Sequence, residues 1–194
     1  PGCTNCYVYR RDAEFGKDSS VVTRTSNFDM PVKCNRKGDY KLQPDGESVY
    51  TCMTSDFFLD EADAWRAEAW NIIRRRSDLH FVITKRIHRF EVELPWDWGS
   101  GYENATICCT CENQNQADYR LPVFLELPIK HRTVIHEPML EQIDIRKYLA
   151  TGKIEGVTCG GESGPDARVC DFSWILDSME QCVEYDVPFW FKQT

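Results

Sequence analysis

The 194-residue chain has no run of about 18 consecutive apolar residues, the length a helix needs to span a bilayer. It also lacks a charged segment followed by an apolar core, the pattern that opens a secretory signal. Positive charge is in deficit. The 23 Lys and Arg stand against 31 Asp and Glu, a net charge of -8, which argues against a surface built to coat a nucleic acid, although a local basic groove is compatible with it. No G-x-G-x-x-G spacing marks a dinucleotide site, and there is neither an internal repeat nor a low-complexity tract. These absences predict a soluble, cytoplasmic protein with no membrane association. The chain opens on Pro1-Gly2-Cys3 without Met and stops just past the apolar Phe189-Trp190-Phe191, so both ends read as trimmed.

What is present is a foldable composition, 42% hydrophobic and 12% aromatic, far from that of disordered chains. At roughly 100–200 residues per domain, a single domain over 1–194 is expected. Short apolar runs alternate with stretches of helical spacing. Val49–Met53, Phe81–Thr84, Ala105–Cys111, Thr133–Ile135, Val157–Cys159 and Pro188–Phe191 read as strands. Ala62, Trp65, Ala69, Ile72 and Ile73 form one stripe of a helix from Asp60, with Arg74, Arg75 and Arg76 in its last turn. Asp118–Leu127, Ile143–Leu149 and Phe172–Tyr185 read as further helices, and Pro95–Gly101 as a loop. The alternation predicts an α/β fold with parallel strands and crossover helices. Residues 16–48 break it and read as a long polar excursion.

In parallel α/β folds the chemistry gathers at the carboxyl ends of the strands. Asp56 follows the first strand, Lys85 the second, Glu112 and Asn113 the third and Glu137 the fourth. Gly160, Gly161, Glu162 and Arg168 follow the fifth, and Lys192 the last. Any one of them reads equally as a turn or cap. Together they predict a polar pocket at one mouth of the sheet, where neighbouring carboxylates raise one another's pKa and a lysine opposes the shift. Gly160-Gly161 offers a backbone that a ligand could approach closely.

The chain has ten cysteines, and with no secretory signal these favour metal binding or thiol chemistry over disulfides. Cys3-Thr4-Asn5-Cys6, ahead of a helical stretch from Tyr7 to Phe15, has three readings: half a zinc site, a redox dithiol, or two ligands of an iron–sulfur cluster. In Cys108-Cys109-x-Cys111, strand alternation lets only Cys109 and Cys111 point together. Cys52, Cys108, Cys159, Cys170 and Cys182 read as small buried hydrophobes. Cys34 stands in the polar excursion.

Taken in order, Gly2-Cys3-x-x-Cys6-Tyr7, Ser55-Asp56-Phe57-Phe58, Ile83-Thr84-Lys85-Arg86, Glu112-Asn113-Gln114-x-x-Ala117-Asp118-x-Arg120, Glu137-Pro138, Gly160-Gly161-Glu162-Ser163-Gly164-x-x-Ala167-Arg168 and Phe191-Lys192-Gln193 resemble the phage-type Gp37/Gp68 family of unknown function. Its members are similar to radical S-adenosylmethionine enzymes, with spore photoproduct lyase-like proteins among them, and carry three cysteines near the N-terminus. The resemblance implies a partial (β/α)6 barrel. It also implies that Cys3 and Cys6 are two of three ligands to a 4Fe–4S cluster that cleaves S-adenosylmethionine to a 5′-deoxyadenosyl radical. The upstream third cysteine of the pattern is absent from this chain. The Gly-Gly-Glu of those enzymes follows an early strand, so Glu162 and Arg168 are carried over as pocket residues only. The candidate catalytic set is thus Asp56, Lys85, Glu112, Asn113, Glu137, Glu162, Arg168 and Lys192. Cys3, Cys6, Tyr7, Gly160 and Gly161 are the candidate cofactor positions. The rival reading is a non-catalytic binding or assembly module with a protein partner and a structural zinc or no metal. Arg74–Arg76, Lys85, Arg86 and Arg89 raise a third, nucleic-acid modification, against the plain reading that Arg74–Arg76 end a helix.

Overall fold

A computed structural model describes residues 4–84 and 86–193 of the chain. Candidates Cys3 and Lys85 lie outside the described residues. Six strands stand in chain order in one parallel sheet: β1 (Ser48–Tyr50), β2 (His80–Thr84), β3 (Ala105–Thr110), β4 (His131–His136), β5 (Val157–Cys159) and β6 (Phe189–Phe191). Ser48 pairs with His80, Val134 with Val157, and Val157 with Phe189. Helices α1 (Tyr7–Glu14), α2 (Asp63–Arg75), α3 (Gln114–Glu126), α4 (Arg146–Leu149) and α5 (Phe172–Glu184) are interleaved with the strands. The class is the α/β arrangement with parallel strands expected from the alternation, consistent with the partial (β/α)6 barrel that the resemblance implies. No helix among the described residues is long and apolar enough to cross a membrane.

The chain forms two compact units: Pro1–Ser20, Cys108–Leu127 and Arg132–Thr194 in one, Val21–Ile107 and Pro128–His131 in the other. In the first, Ile107's successors on β3 and the strands β4 to β6 carry a core of Cys108, Cys109, Val134, Val157 and Cys159, covered by Leu121 and Phe124 of α3 and Ile175 and Cys182 of α5. Helix α3 begins at Gln114, four residues before the expected Asp118, because the Asn113 side chain accepts from the Gln116 N–H at 2.9 Å and caps it.

In the second unit, β2 and β3 are joined without an α-helix. The Pro95–Gly101 loop supplies core instead: Trp98 is buried, its indole N–H donates to Pro128 O at 2.6 Å, and its ring meets Trp70, Phe90 and Tyr102 at 4.9, 5.6 and 4.8 Å. The excursion is anchored by Arg76, which is fully buried at the end of α2. Its guanidinium donates to Leu42 O at 2.8 Å, to Pro31 O and to both Asp78 oxygens at 2.8 Å, and lies 4.2 Å over the Tyr40 ring. Cys52 departs from the buried reading: it is exposed, at φ 52, where β1 has already ended. Cys108, Cys159, Cys170 and Cys182 are buried as expected.

Candidate functional site

Beyond Cys159 the chain runs through Gly160 and Gly161 to Glu162, whose side chain is 5% exposed. Glu162 accepts from the Arg168 N–H at 2.8 Å, from Arg168 Nε at 3.0 Å and from Asn5 Nδ2 at 3.2 Å, and Arg168 Nη2 completes the ion pair. These donors, Arg168 foremost, hold the carboxyl down at about 2 against the opposing effect of burial. Asn5 Nδ2 also donates to Asp166 O at 3.0 Å. One amide thus ties the turn just ahead of Cys6 to the start of the 162–168 loop and to Asp166 within it. Cys6 follows as a half-buried, unbridged thiol at the head of α1. Beside it lies a cleft of about 230 Å³ lined by Asn5, Cys6, Arg10, Ser163 and Asp166, among others. Tyr7, the next residue, is 41% exposed.

The other candidates of this unit form two further ion pairs. Lys192 Nζ reaches Glu137 at 2.8 Å, and Arg120 Nη1 reaches Glu112 at 2.8 Å. Each strand-end glutamate therefore has its own cation, which replaces the expected group of mutually repelling carboxylates. Gly160 and Gly161 are buried and their backbones are engaged: Gly160 N–H on His136 O at 3.0 Å, Gly161 N–H on Gln193 O at 2.7 Å. A Cβ on Gly160 would stand 3.3 Å from Lys192 Cβ, so the close approach these glycines permit is made by the chain itself.

Under Glu112 lie three more polar groups. Cys109 and Cys111 Sγ are 3.9 Å apart and fully buried, the pair that strand alternation selects. Their contact, then burial, pushes the Cys109 thiol up. His136 is completely buried, and burial lowers it to about 4, so its ring is neutral. Its Nδ1 faces Cys111 O at 2.8 Å; a carbonyl only accepts, so Nδ1 carries the proton and Nε2 is a bare lone pair with no partner among the described residues. Burial also lifts Cys108, Cys159 and Cys182 to about 11, 12 and 11, leaving them unreactive as thiolates.

In the second unit Asp56 is buried, accepting from Phe58 N–H at 2.8 Å and Arg86 N–H at 3.1 Å. Three of the basic positions there face carboxylates: Arg74 with Asp97 at 3.0 Å, Arg86 with Asp56 at 3.4 Å, Arg89 with Asp60 at 2.9 Å and Asp63 at 2.6 Å. Among the described residues no group of three or more His, Cys, Asp or Glu is placed to hold a metal ion.

The profile of DUF5131, proteins of unknown function, matches residues 1–194. The chain belongs to the DUF5131 family. No curated protein and no solved structure matches it. In this DUF5131 protein the sequence reasoning passed over Arg10 and Asn5. The signal for Arg10 was its position in α1 four residues after the N-cap Cys6, about one helical turn on. Asn5 gave no signal of its own, because the Glu162 that gives it its role lies 157 residues away.

Proposed function

We propose that this DUF5131 protein is a radical S-adenosylmethionine-like protein in which the Cys3 and Cys6 thiolates are two of the ligands of a 4Fe–4S cluster. The observation that carries the reading is the Cys6 thiol, unbridged and half-buried, opening onto a polar cleft with the loop that follows β5. Support also comes from the parallel α/β sheet and from the motif order shared with the phage-type Gp37/Gp68 proteins. Of the proposed ligands only Cys6 is among the described residues, and one thiolate by itself does not make a cluster site. What the chain's own residues do is defined more closely. Glu162, through Asn5, holds the turn just ahead of Cys6, and Arg168 keeps Glu162 ionised while it does so.

The test is iron and acid-labile sulfide content of the natural chain after anaerobic reconstitution, beside a Cys3→Ala/Cys6→Ala variant. Iron and sulfide that are lost in the variant, with turnover of S-adenosylmethionine, support the reading. About one zinc per chain with no sulfide, or iron that persists in the variant, overturns it in favour of a binding module with a structural metal.

A further inference from the structure

The segments that form the cleft beside Cys6 carry two arginines with different fates, Arg10 in its wall and Arg168 further along the loop that supplies Ser163 and Asp166. Arg168 is taken up by Glu162. Arg10, which lines the cleft, forms no ion pair among the described residues. Its guanidinium lies close against the backbone of the 162–168 loop. Gly164 has φ +113, and a Cβ there would fall 2.7 Å from Arg10 Nη2 and 2.9 Å from Cζ. The guanidinium thus rests in a notch that a side chain at Gly164 would fill. The loop that carries the notch is itself pinned, since Glu162 grips Arg168 at one end and, through Asn5, the Asp166 carbonyl further on. An unpaired cation on a preorganised surface is what lowers the entropic cost of binding a small anion. The cleft beside Gln114 shows the contrast: its Arg146 is shared among Asp144, Asp177 and Glu184, and its Lys147 is bound to Asp118.

We infer that the cleft binds the oxyanion of a small ligand, a phosphate or carboxylate group, on Arg10, with the Ser163 hydroxyl as a second donor. The planar fork of a guanidinium matches two oxygens of either group. At about 230 Å³ the space admits a small molecule or one end of a larger one. Asp166 lines the same cleft, and its carboxylate opposes a simple anion. The inference goes beyond the cluster reading and does not rest on it.

The experiment is calorimetric titration of the purified natural chain with inorganic phosphate and, separately, acetate, at ionic strength held constant with sodium chloride. Saturable binding of one or both is expected, the tighter of the two assigning the ligand as phosphorylated or carboxylated. Arg10→Gln should weaken it at least about tenfold, Arg10→Lys less, and Asp166→Asn should tighten it. Absence of saturable binding of both anions, or unchanged affinity in Arg10→Gln, overturns the site. Iron analysed on the same samples separates the two readings: anion binding without iron leaves this site standing, and iron without anion binding removes this site alone.

Discussion

Glu162 and His136 stand at neighbouring strand ends and respond to acid in different windows. Glu162 is held at about 2 by Arg168, below its ordinary 4.5, so the stability it contributes is present above about 4.5 and is lost as the pH falls toward 2. His136 is held near 4 by burial, below its ordinary 6.5, so the unfolded chain takes up a proton first and stability falls from about pH 6.5 downward to 4. We expect urea unfolding to show a decline beginning near pH 6.5. His136→Gln, whose amide can still donate to Cys111 O, should flatten that limb between 6.5 and 4 and leave the lower one in place. An unchanged upper limb would show that His136 is not the group that titrates.

At the scale of elements, the two departures from helical alternation have one cause each. The connection from β2 to β3 dispenses with an α-helix because Trp98 fills the space, its ring against Trp70 of α2 and flanked by Phe90 and Tyr102. The polar excursion stays ordered because Arg76 crosses from α2 to its carbonyls at Pro31 and Leu42. Removing that guanidinium leaves buried acceptors without a donor, so Arg76→Ala should cost about 3 kcal/mol. Limited proteolysis should then cut between Met30 and Leu42 well before the rest of the chain. Cleavage there at the wild-type rate would mean that the excursion is held by other contacts.

For the whole molecule, charge decides what the surface can do. The net charge is -8, and of the arginines that raised a nucleic-acid reading, Arg74, Arg76, Arg86 and Arg89 lie against carboxylates at 3.0, 2.8, 3.4 and 2.9 Å. Neutralised cations release few counterions on meeting a phosphate backbone. We expect duplex DNA not to be retained at physiological salt; a dissociation constant that rises steeply with salt concentration would contradict this.

The strand and helix order, four of the five cysteines read as buried and the facing of Cys109 and Cys111 were legible in the sequence, because periods of two and 3.6 residues and apolar side chains act locally. The core role of Trp98 was not, since Pro and Gly around it mark a loop whichever way its ring turns. The strand-end residues were also legible as a set, but not their partners. Glu112 with Arg120, Glu137 with Lys192 and Glu162 with Arg168 and Asn5 are pairings that emerge only once distant segments meet. By itself the sequence determined which residues would stand at the carboxyl ends of the strands. Tertiary structure alone decided which charges are spent on one another and that Arg10 is left facing a cleft, because ion pairing depends on separation in space and not along the chain.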